Sequence, residues 1–356
     1  MIMRFWGPAV AVLAAILVGM SFFGYEIPMA LWAVSAAVFF LGAGAYIAQQ
    51  GLGVYVFKRL LETVFVVWVI ASLTFLLLRV LPGGPFDSEK ALPPEVMANL
   101  AREYHLDQTI PQQYLSYMTD LVHGDLGQSY KYVGRNITSI IAESLPNSVQ
   151  LGLYALLISY IIGIPMGVLA GWKQGTALDF SAMFLAISGV SLPSFLMAPI
   201  FILIFCFCLD WLPVALWDGP ASYILPMVVL GIRPAAQIAR LTRASVLEVI
   251  HSDYIRTARA KGLDARTILF KHVLRNSLIP VLSVSGPLAA SILVGSFVIE
   301  QIFAIPGIAK HLIVSVTNRD YPLILGTTLL FSVMLVIANL VTDLLMAMID
   351  PRVKLA

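Results

Sequence analysis

The chain has 356 residues, of which 59% are hydrophobic and only 12% are charged, and its formal net charge is +2. A soluble domain usually carries about 25% charged residues. The composition therefore excludes a wholly soluble fold and predicts that a lipid bilayer surrounds much of the chain.

Eight segments are apolar and long enough to cross a bilayer as helices, which takes about 20 residues each. They are residues 8–23, 28–48, 62–81, 148–172, 180–208, 224–240, 278–299 and 323–349. We expect the long fifth segment to tilt or kink at Pro193 and Pro199. The run after Arg4 resembles the start of a signal peptide, but no cleavage pattern follows, so we predict a retained helix. The predicted fold is an all-α integral membrane protein with about eight transmembrane helices.

The distribution of lysine and arginine among the short loops predicts which side of the membrane each loop faces. One set of connections is rich in cations, whereas the opposite short loops have few. The basic set contains Arg4, Lys58, Arg59, Lys173, Arg240, Arg243, Arg256, Arg259, Lys261, Arg266, Lys271, Arg275, Arg352 and Lys354. The sequence therefore predicts that both termini lie in the cytoplasm.

Two segments between the apolar runs are large. Residues 82–147 have more acidic than basic side chains and face outward in this topology. Prolines open two predicted short helices, at 95–104 and 111–123, so this segment is expected to form a small folded cap. The second segment, residues 242–277, is the predicted cytoplasmic loop.

Within the cytoplasmic loop, the pattern predicts a short helix between Ser252 and Gly262. Serine is a good N-cap, and glycine suits the left-handed conformation that ends a helix. A helix of two or three turns is too short to be stable alone. Asp264 is expected to cap a second helix, in which Ile268, Leu269, His272 and Val273 form an apolar stripe. A short basic helix between two spans is well suited to docking into a groove on another protein.

This loop resembles the cytoplasmic "EAA" loop of ABC importer permeases, in which Glu-Ala-Ala is followed by three residues and glycine. Here the corresponding residues are Arg256-Thr257-Ala258 and Gly262, so the first two residues differ from Glu-Ala. This variant of the motif is the form seen in the dipeptide, oligopeptide and nickel branch of the family. Further matches lie at residues 79–86, 92–99, 104–106, 123–127, 299–300, 306–308, 318–321 and 350–352. The outer segment is especially similar to the oligopeptide permease B subunit.

The resemblance implies that two permease subunits form a pore, two separate ATPase subunits dock beneath it, and an extracytoplasmic binding protein delivers oligopeptide. Residues 1–50 lie outside the resemblance and are interpreted as an added two-span segment before a permease core at 51–356. The implied coupling helix consists of Tyr254, Ile255, Arg256, Thr257, Ala258, Arg259, Ala260, Lys261 and Gly262. The implied location is the bacterial inner membrane. ATP and magnesium would bind the partner ATPases, and no cofactor is expected in this chain.

Several other residues have either a structural or a functional interpretation. Gly163, Gly167 and Gly171 recur every four residues, which favours close helix packing. Asn339 and Asp343 lie one turn apart and are interpreted as bonding a neighbouring helix rather than acting in transport. The candidate pore-lining residues are Ser191, Ser194, Gln237, Ser291 and Ser296.

Other function classes remain as alternatives at this point. The scaffold could import dipeptides or nickel instead of oligopeptides, or the chain could be a secondary transporter driven by an ion gradient. The sequence has no P-loop and no recognisable catalytic constellation, so it is not expected to be an enzyme. Its five histidines show no metal-ligand spacing, and Cys206 and Cys208 have no metal or redox spacing.

Overall fold

The computed structural model describes residues 53–80, 84–86, 106–132 and 134–349, with four isolated positions at 95, 99, 102 and 104. The two predicted N-terminal spans lie outside the described residues, as does most of the first predicted cap helix.

The described chain is built from helices. In order, they are α1 (Gly53–Val80), α2 (Ile110–Val122), α3 (Ile137–Trp172), α4 (Ala177–Ser191), α5 (Ser194–Phe201), a π-helical segment (Ile202–Cys208), α6 (Pro220–Ile250), α7 (Asp253–Ala260), α8 (Ala265–Thr267), a second π-helical segment (Ile268–Val273), α9 (Leu274–Ser277), α10 (Ile279–Ser283), α11 (Ser285–Ile302), α12 (Ile308–Asn318) and α13 (Tyr321–Ile349). One isolated bridge joins Gln128 and Asn136, and the described residues contain no strand. The all-helical prediction is therefore confirmed for this part of the chain.

Five described helices are long and apolar enough to cross a membrane, and the number is six if one bent pair counts as a single span. The bent pair occupies the predicted segment 180–208. Its two halves, Ala177–Ser191 and Ser194–Cys208, meet at 106°. The predicted kink at Pro193 is thus a complete break, because proline lacks an N–H and also disfavours the helical conformation of Leu192 before it.

The predicted span at 278–299 is interrupted, because two helices, α10 and α11, meet at Val284, and α11 alone is long and apolar enough to cross a membrane. Pro287 lies in the first turn of α11, where its missing N–H disturbs the hydrogen bonds that would make one helix of the two. The Ser285 hydroxyl also donates to the Val281 carbonyl at 3.1 Å. Such local hydrogen bonds compete with regular helical pairing.

The chain folds into two compact units. The first unit contains residues 149–305 with residues 53–59 and 335–349, and the second contains residues 60–148 and 306–334 within the described ranges.

In the first unit, glycines bring α3 against α6. A Cβ atom added to Gly163 would lie 2.6 Å from the Ala235 carbonyl oxygen, and one added to Gly171 would lie 2.7 Å from a Val246 methyl group. A Cβ atom added to Gly167 would likewise lie too close to the Ala239 carbonyl oxygen. The predicted packing role of these glycines is therefore confirmed, since any side chain would hold the two backbones apart.

The second unit has its own apolar core, in which Ile137, Ile308 and Leu323 are completely buried. Asp320 is also buried, and its carboxylate accepts hydrogen bonds from the Ser129 hydroxyl and from the Tyr130 N–H at 3.1 Å. The carboxylate also accepts from the Leu323 N–H in the first turn of α13. Asp320 thus joins the segment before α3 to the start of α13.

The second predicted cap helix, at 111–123, is confirmed as α2. The Thr109 N–H donates to the Gln112 side chain at 3.1 Å, which fixes the start of this helix. Tyr114 and Tyr117 pack on Phe75 of α1, with ring centroids 5.5 and 5.6 Å apart. Aromatic contacts therefore hold this part of the predicted cap on α1.

Candidate functional site

The predicted cytoplasmic helix is present as α7. The long helix α6 continues to Ile250, and α7 begins at Asp253 after a turn at Ser252. Gly262 has φ +75°, so the prediction of a left-handed residue after the helix is confirmed. Ser252 holds the N-cap position, but the expected side-chain cap is absent, because its hydroxyl donates backward to the Val249 carbonyl at 2.6 Å. That bond stabilises the turn between α6 and α7.

One face of α7 is packed against its own chain. Ile255 is completely buried and Ala258 nearly so, in a cluster with Val246, Ile268 and Val273. The short helix therefore obtains much of its stability from this cluster, rather than only from a partner protein. Burying an isoleucine side chain stabilises a fold by about 1.5–3 kcal/mol.

A polar contact fixes the same helix at its N-terminal end. The Asn276 amide donates to the Tyr254 hydroxyl at 2.7 Å and so connects α7 with α9. Together with the buried Ile255, this bond gives α7 a defined orientation. A pre-oriented helix loses less conformational freedom when a partner binds it.

The opposite face of α7 is exposed and basic. Arg256, Arg259 and Lys261 are all exposed. Arg256 lies 3.5 Å from Asp253 one turn earlier, but both side chains are largely in solvent, so the pair contributes little stability. The arrangement presents three exposed cations on a helix that its own chain holds in place.

The second helix of the loop begins where the sequence predicts. The Asp264 carboxylate accepts a hydrogen bond from the Thr267 N–H at 3.0 Å. Hydrogen bonds from Thr267 stabilise the ionised form and lower the pKa of Asp264. The following turns are π-helical, and of the predicted apolar stripe Ile268 and Val273 are buried, while Leu269 and His272 are partly exposed.

An ion pair that the sequence analysis missed stabilises the approach to this loop. Asp179, buried at the start of α4, accepts two hydrogen bonds from Arg243 of α6, at 2.6 and 2.8 Å. It also accepts from the Gly175 N–H at 3.0 Å. These bonds tie the turn between α3 and α4 to α6, ten residues before α7. In the sequence, Asp179 is visible only as one acidic residue next to a predicted apolar segment. Its partner Arg243 lies 64 residues away, so no local pattern reveals the pair.

Three of the predicted pore-lining residues meet around one cavity of about 450 Å³ in the first unit: Ser194, Gln237 and Ser291. Ser191 does not line this cavity, and its hydroxyl donates to the Ile187 carbonyl. Ser296 is buried and donates to Glu300 at 2.8 Å. The structure thus places three of the five candidates at this cavity and two away from it, and their assignment to a pore stays a prediction.

Arg233 also lines this cavity, and the sequence analysis did not single it out. It lies in the middle of α6, so a cation within an otherwise apolar span was the available signal. Arg233 is also the one charged side chain among the described residues that line the cavity.

The predicted structural role of Asp343 agrees with its contact. Its carboxylate lies 2.5 Å from the guanidinium of Arg59, which joins α13 to α1 within the first unit. Asn339 lies beside Gly286, where an added Cβ atom would be 2.9 Å from its side-chain oxygen. Both residues therefore serve contacts between helices.

The geometry defines a helical membrane protein with a polar cavity among its apolar helices and an exposed basic helix between two of them. The family of binding-protein-dependent transport system inner membrane components matches at residues 163–355, and its N-terminal model matches at residues 53–152. The chain belongs to this family.

Two transport proteins are similar to this chain over most of its length. The chain is 44% identical over 302 residues to the oligopeptide transport system permease protein OppB of Salmonella typhimurium, covering 84% of this chain and 99% of that protein. It is 44% identical over 301 residues to the dipeptide transport system permease protein DppB of Bacillus subtilis, covering 85% of this chain and 98% of that protein. A solved structure of the MetNI methionine ABC transporter in inward-facing conformations aligns with a TM-score of 0.49 and 15% identity, over 60% of this chain and 97% of that one.

Proposed function

We propose that this chain is a pore-forming permease subunit of an ATP-driven, binding-protein-dependent importer of oligopeptides. The observation that carries the proposal is its 44% identity with an oligopeptide permease over 99% of that protein. The exposed basic helix and the polar cavity supply the two parts that such a subunit needs, which are a contact for an ATPase and a path for the solute.

In this proposal, α7 transmits movement from the ATPase to the pore. Its basic face docks in a groove of an ATPase subunit, and its buried face moves with Val246 of α6 and Val273. Because Ile255 is completely buried against these residues, displacement of α7 also displaces α6. Residues of α6 line the cavity, so closure of the ATPase pair would bias the pore between two conformations.

The assembly would contain a second homologous permease subunit, two ABC ATPase subunits and an extracytoplasmic peptide-binding protein. ATP and magnesium would bind to the ATPase subunits, because this sequence has no P-loop. We place the complex in the bacterial inner membrane with both termini in the cytoplasm and about eight spans. Residues 82–147 would then face the binding protein.

Two alternatives concern the cargo, and one concerns the energy source. The same scaffold with a different binding protein would import dipeptides, which the Bacillus subtilis relative supports. With another binding protein, the same scaffold would import nickel. Membership of a binding-protein-dependent family argues against a secondary transporter driven by an ion gradient.

Reconstitution tests the proposal. The chain, its sister permease and the two ATPases are placed in proteoliposomes, with the binding protein and radiolabelled peptides of different lengths outside. We expect uptake that requires both internal ATP and the binding protein. Uptake driven by a proton or sodium gradient without the ATPases would contradict the proposed mechanism. Uptake of nickel or dipeptides alone would contradict the proposed cargo.

A further inference from the structure

We propose that Arg233 binds the C-terminal carboxylate of the peptide as it passes through the cavity of the first unit. This inference rests on the proposed function and names a contact within the path. The site consists of Arg233 and Gln237 on α6, Ser194 at the start of α5, and Ser291 on α11.

The position of Arg233 is the first argument. A cation in the middle of a membrane helix is costly unless it faces water or an opposite charge. Within the described chain, Arg233 has no ion pair or side-chain hydrogen bond, and its side chain is exposed at the cavity. An arginine at such a place is available to an anionic group on a ligand.

The composition of the cavity is the second argument. Among the described residues that line it, none has a carboxylate that would compete for Arg233. Gln237 lies four residues later on α6 and therefore projects from the same face of the helix. The guanidinium offers a planar pair of donors that matches a carboxylate, and the amide and the two hydroxyls can pair with peptide N–H and C=O groups.

The chemistry of the cargo is the third argument. Every unmodified peptide has a terminal carboxylate and a backbone, whatever its sequence. A site built from one arginine, one amide and two hydroxyls, with apolar walls of Leu230, Leu288 and Ile292, would recognise these shared groups. The cavity volume of about 450 Å³ lies within the range of small-molecule sites and holds only part of a longer peptide. The cavity would thus hold the chain end without selecting side chains.

The test compares the import of two forms of one peptide by the reconstituted complex. One form has a free C-terminal carboxylate, and the other has a C-terminal amide in its place. Binding protein is loaded beforehand with either peptide and supplied at limiting concentration, so that the initial rate reports transfer into the permease. We expect the wild-type complex to import the free acid about tenfold faster than the amide, as the loss of a charge-assisted hydrogen bond implies. Arg233→Gln should reduce this ratio to about one, because it slows import of the acid.

A second variant tests the same contact without removing the arginine. Gln237→Glu places a carboxylate one helical turn from Arg233, where it would occupy the guanidinium. This variant should also reduce the ratio to about one. Arg240→Gln is the matched control, since it removes an exposed arginine from the same helix outside the cavity, and it should keep the wild-type ratio.

The outcomes separate this inference from the proposed function. Failure of the wild-type complex to import either peptide would contradict the proposed function. Normal import with a wild-type ratio near one would overturn the carboxylate contact alone. The contact would also be overturned if Arg233→Gln or Gln237→Glu kept the wild-type preference, or if either slowed the acid and the amide equally.

Discussion

Substitution of Gly262 separates docking of α7 from folding of α7. Gly262 has φ +75°, and a Cβ atom added there would have no heavy atom within 4 Å. An L side chain therefore costs about 1–2 kcal/mol of backbone strain but meets no clash within the chain. This cost is small beside a stability of about 5–15 kcal/mol, so the variants should fold. Alanine and leucine incur similar strain, but leucine adds bulk at the exposed end of α7.

If an ATPase groove receives this end of α7, the effect should grow with side-chain size. We expect Gly262→Ala to couple nearly normally, because its side chain is small. Gly262→Asn should be intermediate, because asparagine is larger although it tolerates the left-handed conformation better than alanine. Gly262→Leu should abolish peptide uptake and stimulation of ATP hydrolysis by loaded binding protein. Both quantities are measured in proteoliposomes containing the assembled complex. A cysteine replacing Arg259 should cross-link to the ATPase groove in an otherwise wild-type chain and poorly beside Gly262→Leu.

Gly175 provides a matched control for this series. It also has φ +75° and open space around an added Cβ atom, but it lies in the turn between α3 and α4. Gly175→Leu should therefore carry the same strain and leave coupling intact. Equal loss of coupling in both leucine variants would show that strain matters rather than docking. Normal coupling with Gly262→Leu would refute the role of α7 in transmission.

Three further predictions concern contacts between helices, and a fourth concerns the membrane topology. Ile255→Ala should lower the stability of the complex by about 2–5 kcal/mol and weaken coupling, as thermal unfolding and ATPase assays will show. The same substitution at the exposed Ile161 of α3, away from α7, should do neither. Gly167→Leu should push α3 from α6 and reduce the yield of folded protein in detergent, whereas Leu169→Ala on the exposed face should not. Asp179→Asn should destabilise the chain by about 1–3 kcal/mol, because it leaves Arg243 without its anion. Adding Arg243→Gln to the same chain should restore part of the lost stability. A double variant that is no more stable than Asp179→Asn would contradict the pairing. Gln128→Cys, in a chain without Cys206 and Cys208, should react with an impermeant maleimide in intact spheroplasts, and labelling only after the membrane is opened would reverse the topology.

Hydropathy and local motifs determine the features that depend on a few neighbouring residues. The apolar segments predict the helices because a helix satisfies its backbone hydrogen bonds within one segment of chain. The helix cap at Asp264 follows from one carboxylate, and the left-handed turn at Gly262 follows from the absence of a side chain. The spacing of Gly163, Gly167 and Gly171 likewise predicts a close helix contact, although it does not identify α6 as the partner.

Tertiary structure decides which distant residues meet. Asp179 pairs with Arg243 across 64 positions, and Ser194, Arg233 and Ser291 line one cavity from three different helices. No local pattern encodes these meetings, because they depend on the angles at which helices pack and on the 106° bend after Ser191. The burial of Ile255 is of the same kind. The sequence predicts α7 as a short basic helix between two spans, whereas only the packing against Val246 shows that Ile255 faces its own chain and that the basic side is exposed.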